Sequence, residues 1–355
     1  MKLLILTQKV DRNDPILGFF HRWIEEFAKH CEKLTVICLQ KGEYNLPSNV
    51  RVLSLGKPAQ GWPASGGKKL FGKLRALFRF YRYIWRERKN YDAVFVHMNQ
   101  EYVLLGWKFW KLWNKKIYLW RNHAKGNLWT RLAVLFSNKV FCTSPQSFTA
   151  RFKKTKIMPV GIDTDFFRPD SNVKKIPRSI LALGRISPIK RLDILINALL
   201  ELQKQGETFT ATIIGSPISD LDQQYEDNLH QLAKPLTGAH LLNFCPAVPH
   251  HQTPAIYQSH EIYVNLTPAG SFDKTILEAM MSGCLALAFN VNLSLQIGER
   301  LIIRELWVEK IANQVSDILS MSEQKKRELI QKEVIFAEIH SLTSLIIQLV
   351  NELKK

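Results

Sequence analysis

The chain is poor in cysteine and lacks long apolar runs. Five of its 355 residues are cysteine, and no two of them form a CxxC pair. An odd count without such pairs argues against a disulfide framework or a structural zinc site, and it predicts a reducing, cytoplasmic location. No stretch approaches the roughly 18 apolar residues that a membrane-spanning helix needs. The opening segment, MKLLILTQKV, has four consecutive apolar residues, which predicts a buried strand and not the core of a signal peptide.

Several common motifs are absent as well. The sequence contains no GxGxxG, no GxxxxGK[ST] and no GxSxG segment, so it supports neither a classical dinucleotide site, nor a P-loop, nor a serine hydrolase. Two DxD segments occur, at 163–165 and 220–222. Neither stands at the place in the chain where the fold of a metal-dependent transferase requires this motif. His250 and His251 are adjacent but have no partner at zinc-ligand spacing, so we expect a structural or solvated pair.

Acidic residues are scarce in the first half of the chain. Residues 1–170 contain 31 Lys and Arg against 12 Asp and Glu, a net charge of +19, whereas residues 171–355 contain 18 against 19, a net charge of −1. The whole basic excess therefore lies in the first half. Such an excess predicts an anionic partner: a nucleic acid, an acidic membrane surface or a phosphorylated substrate.

Short apolar runs alternate with helical patterns along the whole chain. In the first half we expect strands at 3–6, 34–39, 50–55, 93–97, 116–120 and 139–142, and helices at 20–30 and 68–89. In the second half we expect strands at 178–183, 210–214, 241–245, 262–266 and 285–289, and helices at 191–205, 275–282 and 342–353. This order predicts an α/β fold of two doubly wound, Rossmann-like domains, each with a parallel sheet between helices.

The pattern restarts after a polar segment at 169–177 that carries prolines at both ends, so we place the linker there. The predicted domains are therefore residues 1–170 and 171–355, with the last helix packing back on the first domain. In folds of this kind, ligands bind at the carboxyl ends of the strands.

The segment GRISPIKR, residues 184–191, follows a predicted strand and opens a helix. It places Arg185 and Lys190 beside a helix N-terminus, whose free N–H groups favour an anion. An arginine can bind two phosphate oxygens at once, and a lysine adds a compact charge. The pattern is typical of a phosphate site, although a solvated basic loop has the same composition.

A second segment, SFDKTILEAMMSG at 271–283, also lies between a predicted strand and a helix. Glu278 falls in the first turns of that helix, where a carboxylate can accept two hydrogen bonds from a ribose diol. The alternative, a solvent-facing glutamate, is the commoner case for a lone Glu on a helix.

Together, GRISPIKRLDILINAL and SFDKTILEAMMSG resemble the donor half of glycosyltransferase family 4, a retaining family with the GT-B fold. The segment PVGIDTDFF at 159–167 is similar to the motif that closes that family's first domain, and Gly18-Phe19-Phe20-His21 is similar to its first loop. The resemblance spans nearly the whole chain. It implies two Rossmann-like domains that face a cleft, an acceptor-binding first domain, and a second domain that binds a nucleoside diphosphate sugar, with no metal or other cofactor required.

The resemblance also implies a role for each matching position. Arg185 and Lys190 would bind the diphosphate and stabilise the charge that develops as the sugar leaves, and His123 would lie near the transferred sugar; these three are the predicted catalytic residues. Glu278 would bind the ribose. The other predicted donor-binding residues are Gly18, Gly184, Phe272, Asp273 and Lys274.

Three positions depart from the family pattern. Gly270 stands where a glutamate is common, Asp273 stands where a glycine is common, and Gly18 is a single glycine where two are usual. These departures leave the sugar undetermined, and Gly270 keeps a catalytically inactive GT-B scaffold open as an alternative function.

The predicted helix at 68–89 carries an apolar and a basic stripe. Positions 70, 74, 77, 81 and 84 form the apolar stripe, which should pack on the sheet, while Phe80 and Tyr83 should be exposed beside the basic one. The predicted membrane or acceptor surface consists of Arg75, Arg79, Arg82 and Arg86.

This basic stripe predicts docking on an anionic membrane at the inner face of the plasma membrane. Many members of the resembled family glycosylate lipid-linked acceptors, so we expect a lipid-linked or cell-envelope glycan as acceptor. A nucleic-acid-binding protein stays open as the alternative, but no RNA- or DNA-binding signature is present, and we expect no nucleic acid partner.

Overall fold

The computed structural model describes residues 1–58, 61–62, 67–268, 272–293 and 297–355. These residues form two compact units. Domain 1 comprises Met1–Gly161 together with Leu342–Lys355, and domain 2 comprises Ile162–Ser341. The division thus falls after Gly161, earlier than the expected boundary at residue 170, and the C-terminal helix (Leu342–Lys354) belongs to domain 1.

Domain 1 is built on a parallel sheet whose seven described strands follow the order β3-β2-β1-β4-β5-β6-β7. The strands are β1 (Lys2–Val10), β2 (Lys33–Lys41), β3 (Val50–Ser54), β4 (Ala93–His97), β5 (Lys116–Trp120), β6 (Lys139–Cys142) and β7 (Thr155–Ile157). All six expected strands of the first half are present. The seventh, β7, has only three residues and no apolar run, so no pattern in the sequence predicted it.

Helices cover both faces of this sheet and bury two separate cores. They are α1 (Phe19–His30), α2 (Gly67–Glu87), α3 (Glu101–Leu112), α4 (Leu128–Phe136) and the C-terminal helix. On one face, the apolar residues of α1 recur at helical spacing and pack with those of the C-terminal helix, for example Phe20, Trp23 and Phe27 with Leu345 and Leu349. On the other face, α2, α3 and α4 contribute to the second core.

Charged side chains connect the C-terminal helix to strands β6 and β7 of domain 1. The carboxylate of Glu352 pairs with Lys139 of β6, and it lies 3.1 Å from Nζ of Lys156 in β7. The hydroxyl of Tyr118 in β5 donates to the carbonyl of Glu352 at 3.3 Å. The hydrogen bond from Lys139, followed by those from the other lysines, lowers the pKa of Glu352 to about 2.

Domain 2 repeats the architecture with five described strands in the order β10-β9-β8-β11-β12, all parallel. The strands are β8 (Ser179–Leu183), β9 (Thr210–Ile214), β10 (Leu242–Cys245), β11 (Ile262–Asn265) and β12 (Leu285–Ala288). The helices are α5 (Leu192–Lys204), α6 (Asp220–Leu232), α7 (Lys234–Gly238), α8 (Thr253–Ser259), α9 (Lys274–Met281), α10 (Val308–Leu319) and α11 (Glu323–Glu338).

The strand order reverses in domain 2 between β8 and β11, because the chain runs outward from β8 in one direction and resumes on its other side at β11. A crevice forms at the carboxyl ends of the strands at such a switch point, and it is the usual ligand position in this class of fold. The two segments that the sequence singled out, after β8 and after β11, both start at this point.

In the part of the chain that the structure describes, none of the helices combines the length and the apolar character that crossing a bilayer requires.

Candidate donor-binding site

The loop between β8 and α5 forms the first wall of the site. Gly184 follows β8 with a φ of +140°, and Arg191 precedes α5 with a φ of +53°. Glycine adopts such positive φ values without steric cost. The side chain of Arg185 is held by a long hydrogen bond of 3.4 Å from its Nε to Oγ of Ser187. The loop therefore presents Arg185 and Lys190 at the carboxyl edge of the sheet.

Lys190 reaches the segment that follows β11. Its Nζ donates to Oδ2 of Asp273 at 2.5 Å, and Nδ2 of Asn265, the last residue of β11, donates to the same oxygen at 3.1 Å. Burial would raise the pKa of Asp273, but the charge and hydrogen bond of Lys190 outweigh it and lower that pKa to about 2. The carboxyl group of Asp273 is therefore ionised at neutral pH.

Asp273 also caps helix α9. Its Oδ1 accepts a hydrogen bond from the backbone N–H of Thr275 at 3.3 Å, which satisfies one of the free N–H groups of the first turn. The neighbouring Phe272 is buried, with its ring centroid 5.1 Å from that of His340. The aromatic side chain thus anchors the segment in the core, and the backbone at 272–274 stays at the N-terminus of α9.

Glu278 lies one turn along α9 from Lys274. It is only 4% exposed, which rules out the solvent-facing alternative. Its Oε1 is 3.2 Å from Nε2 of His250, a residue in the segment between β10 and α8. Burial lowers the pKa of Lys274 to about 7, against the opposing charge of Glu278, although part of the lysine side chain still meets solvent.

A cavity opens where these walls meet. Residues from the ends of β8 and β11 and from the basic loop line it, among them Gly184, Arg185, Lys190, Tyr263, Asn265 and Leu266. Two cations, a helix N-terminus and a buried carboxylate therefore lie on one edge of one sheet. The arrangement suits a ligand that has phosphate groups at one end and hydroxyl groups nearby.

The family of glycosyl transferases group 1 matches residues 163–333. The match contains the loop after β8, the segment after β11 and helix α9. Domain 2 is a group 1 glycosyl transferase domain.

Two curated relatives are similar to parts of the chain. A D-inositol 3-phosphate glycosyltransferase of Frankia alni is 29% identical over 152 residues, which is 39% of this chain and 37% of that protein. The GtfA subunit of a UDP-N-acetylglucosamine–peptide N-acetylglucosaminyltransferase of Streptococcus pneumoniae is 26% identical over 155 residues, which is 43% of this chain and 28% of that protein. The matched segments thus cover little more than a third of the first relative and less than a third of the second.

A solved structure matches the whole chain. Anabaena Alr3699/HepE in complex with UDP and glucose has a TM-score of 0.75 and 18% identity, over 99% of this chain and 98% of that one. A likeness at this level of identity establishes the fold. The two Rossmann-like domains therefore form a GT-B fold, as the resemblance implied.

Not all predicted residues lie in the glycosyl transferase domain. Gly18 and His123 belong to domain 1. Gly18 precedes α1 with a φ of −56°, so its backbone conformation does not require glycine. His123 is exposed, and its Nδ1 lies 3.1 Å from the backbone nitrogen of Lys125. Gly270, where the family commonly has a glutamate, lies outside the described residues.

Two side chains of the site were not found from the sequence. His250 was expected to be structural or solvated, but it contacts the buried carboxylate of Glu278. No sequence pattern signals this contact, because the two residues stand on separate elements that are brought together only by the fold of the parallel sheet. Asn265 lies within the predicted strand at 262–266, and its Nδ2 donates to Oδ2 of Asp273 at 3.1 Å and to the hydroxyl of Tyr263 at 2.9 Å.

Helix α2 of domain 1 presents a face that differs from the predicted one. Its buried residues are Ala76, Phe80, Ile84 and Glu87, and the hydroxyl of Tyr83 donates to the carbonyl of Ser54 at 3.3 Å. The expected exposure of Phe80 and Tyr83 is therefore wrong. So is the expected packing of Leu70 and Leu74, which are more than half exposed. The predicted stripe was rotated about the helix axis, because apolar residues occur on two faces and the pattern alone does not say which one is covered.

The exposed face of α2 combines apolar and basic side chains. We call it the α2 face. Its apolar members, each more than half exposed, are Leu70, Phe71, Leu74, Phe78 and Trp85. Its basic members are the exposed Arg75, Arg82 and Arg86. Arg79, the fourth predicted arginine, is half-buried and its Nη1 donates to the carbonyl of Leu55 at 3.2 Å, so it contributes less to this face.

Proposed function

We propose that the chain is a retaining glycosyltransferase that moves a sugar from a nucleoside diphosphate sugar to an acceptor hydroxyl. The observation that carries the proposal is that Arg185 and Lys190 line the cavity at the switch point of a group 1 glycosyl transferase domain, with Glu278 buried on α9, the helix that follows β11. Cations beside a helix N-terminus suit a diphosphate, and a buried carboxylate suits the hydroxyl groups of a ribose.

In the proposed reaction, the bond between the anomeric carbon and the diphosphate oxygen breaks as the acceptor hydroxyl attacks from the same face. Negative charge then develops on the leaving diphosphate, where Arg185 and Lys190 would stabilise it. The leaving phosphate would accept the proton of the acceptor hydroxyl. Gly184, Phe272, Asp273 and Lys274 would complete the donor site, largely through backbone groups.

Domain 1 would bind the acceptor and would supply His123. An exposed histidine after β5 stands at the carboxyl edge of the domain 1 sheet, where its ring could hydrogen-bond to the transferred sugar. Gly18 would let the first loop approach the donor. These two roles rest on the family resemblance and on the position of both residues after strands of domain 1.

For the acceptor, we propose a lipid-linked or cell-envelope glycan that the enzyme meets at an anionic membrane surface. The names of the two relatives point to different acceptors, an inositol phosphate and a peptide, so they do not decide the acceptor of this chain. The α2 face supports a membrane-bound acceptor, since exposed aromatic and aliphatic side chains beside arginines are typical of helices that lie in the membrane interface. A peripheral position and a role in polysaccharide biosynthesis follow from this proposal.

A panel of nucleoside diphosphates and their sugars, measured by thermal shift, tests the function. A ligand at 100 times its Kd stabilises the protein by about 2.7 kcal/mol, so the preferred donor should raise Tm clearly above the others. If no nucleotide raises Tm, the donor site is misassigned. A gel shift with nucleic acid at physiological salt tests the alternative partner.

An inactive scaffold is the second candidate, and the pairing of Lys190 with Asp273 favours it, because that ion pair offsets one of the two cations expected to bind phosphate. An assay of nucleotide release separates the two functions. An active transferase releases the nucleoside diphosphate from the preferred donor, by transfer or by slow hydrolysis. An inactive scaffold binds the donor but does not cleave it.

A further inference from the structure

The contact between His250 and Glu278 connects two elements of the glycosyl transferase domain. Nε2 of His250 lies 3.2 Å from Oε1 of Glu278, and the side chains are only 14% and 6% exposed, respectively. Glu278 stands on α9, whereas His250 stands in the segment between β10 and α8. The contact is thus a tertiary one, and it involves a residue to which neither the sequence nor the proposed function gives a role.

The imidazole ring is held in place independently of Glu278. The hydroxyl of Thr253 donates to the backbone carbonyl of His250 at 2.9 Å, which closes the turn that leads into α8. The ring packs edge-on against Phe167, with centroids 5.4 Å apart and planes inclined by 67°. Because Thr253 holds the backbone of His250 and Phe167 packs against its ring, Nε2 of His250 can donate to the carboxylate from a fixed position.

A carboxylate has about four lone-pair positions on two oxygens. The hydrogen bond from His250 occupies one position on Oε1 and restrains rotation of the carboxyl group. Enough acceptor capacity remains for the two hydroxyl groups of a ribose. An isolated glutamate would lose side-chain freedom when it binds the diol, and this cost lowers affinity; a glutamate already oriented by the histidine avoids most of it.

We propose that His250 is a positioning residue for the donor. It orients the carboxylate of Glu278 so that the glutamate can accept hydrogen bonds from both ribose hydroxyls of the nucleotide. The inference rests on the proposed function, in which Glu278 binds the ribose. It assigns His250 no contact with the reacting atoms.

The experiment compares two ligands and four proteins. Uridine diphosphate and its 2′,3′-dideoxy analogue are titrated calorimetrically into wild type, His250→Ala, His250→Gln and His251→Ala. Glutamine can place an amide N–H close to the position of Nε2, so it keeps the donor. His251 is the exposed neighbour in the same turn, and its replacement is the matched control.

We expect His250→Ala to weaken binding of uridine diphosphate by up to about tenfold, because the carboxylate of Glu278 must then be ordered when it binds the diol. Binding of the dideoxy analogue should be unchanged, because it has no ribose hydroxyl groups that could donate hydrogen bonds to Glu278. His250→Gln should recover most of the loss, and His251→Ala should bind both ligands as wild type does. With a preferred donor, the same loss should appear as a higher KM at nearly constant kcat.

Equal losses for the two nucleotides in His250→Ala would overturn the inference, since a merely structural role affects both. Unchanged affinity for uridine diphosphate would overturn it as well. Failure of the proposed ribose role looks different: wild type would then bind the nucleotide and its dideoxy analogue equally well. If His250→Ala unfolds, His250→Gln decides the test. The inference requires that this variant prefer uridine diphosphate over the dideoxy analogue as strongly as wild type does.

Discussion

Nζ of Lys190 lies 2.5 Å from Oδ2 of Asp273. The lysine that the proposed function assigns to the donor diphosphate is therefore already paired with a carboxylate of its own domain. The two residues come from different loops, after β8 and after β11, and their side chains are largely buried. Arg185 has no comparable acidic partner among the described residues. The two cations of the site should thus contribute unequally to binding.

Replacing either cation should impair the use of the donor. Loss of a charge-assisted hydrogen bond costs about 1.5–3 kcal/mol, so Arg185→Ala and Lys190→Ala should each lower kcat/KM about 10- to 150-fold. Arg185→Ala should have the larger effect. Initial rates at subsaturating donor measure this, with Lys204→Ala, at the exposed end of α5, as the control. Near-normal rates in both variants would remove the phosphate role of the loop.

Asp273→Asn should have opposite effects on ligand affinity and on stability. The amide no longer neutralises Lys190, so a nucleoside diphosphate should bind several-fold more tightly. Asparagine is as good an N-cap as aspartate, so α9 should remain capped. The protein should nevertheless lose the stabilisation that comes from the lowered pKa of the carboxyl group.

The sign of the pH effect follows from that pKa. Asp273 ionises more readily in the folded chain, at about 2 against an ordinary 3.8, so its contribution is complete above pH 4 and is lost as the pH falls toward 2. The difference in Tm between wild type and Asp273→Asn should be largest near neutral pH and should shrink between pH 4 and pH 2. A difference that is constant over this range, or weaker nucleotide binding in the variant, would contradict the pairing.

The sequence predicted the fold more completely than the site. All described strands except β7 were predicted from apolar runs, since a strand covered on both faces is apolar throughout, as Leu3 to Leu6 are. The pairs Lys190 with Asp273 and His250 with Glu278 could not be predicted, because each joins residues that are distant in the chain. Their contact depends on strand order, which hydrophobic periodicity does not specify.

Helix α2 shows that hydrophobic periodicity also fails to identify which side of a surface helix is exposed. Both Phe78 and Phe80 are apolar and two positions apart, yet Phe78 is 66% exposed and Phe80 only 1%. Only the neighbouring helix distinguishes them: the ring of Phe80 packs on Tyr102 of α3 with centroids 5.7 Å apart. A helix with apolar residues on two faces needs this tertiary information before its exposed side can be identified.

Glu278→Gln should weaken nucleotide binding more than it affects folding. The amide is similar in shape and still has one carbonyl oxygen for His250 or for the ribose, but it has no charge and only half of the acceptor capacity. Loss of a hydrogen bond to a charged group should lower affinity for the nucleoside diphosphate at least tenfold. Calorimetric affinity and Tm should be measured together. A large fall in Tm at unchanged affinity would leave Glu278 a structural residue of α9.

Transfer should proceed without added divalent metal. Arg185 and Lys190 place positive charge where the diphosphate leaves, the task that a metal ion performs in metal-dependent transferases. Rates with the preferred donor should therefore stay within about twofold after dialysis against a chelator. Complete loss of activity in chelator, followed by recovery with manganese or magnesium, would show that the two cations are not sufficient.

The α2 face should bind domain 1 to anionic membranes. Arg75, Arg82 and Arg86 lie beside Phe71 and Phe78 on this face. Each cation near an acidic surface contributes about 1 kcal/mol, so replacing the three arginines together by glutamine should weaken binding to anionic liposomes more than tenfold. Binding should also fall as 1 M salt shortens the Debye length to about 3 Å. Co-sedimentation with neutral and with anionic liposomes measures both effects.

Two further variants separate attraction by charge from insertion of apolar side chains. Replacing Phe71, Phe78 and Trp85 by serine removes apolar area but no charge, so it should weaken binding to anionic and neutral liposomes alike and should leave the salt dependence in place. The control changes Lys174, Lys204 and Lys332 of domain 2 to glutamine, which removes the same charge from exposed positions elsewhere. If this control loses as much binding as the arginine variant, only net charge matters. If wild type does not prefer anionic lipid, the α2 face is solvated and the acceptor must be sought away from the membrane.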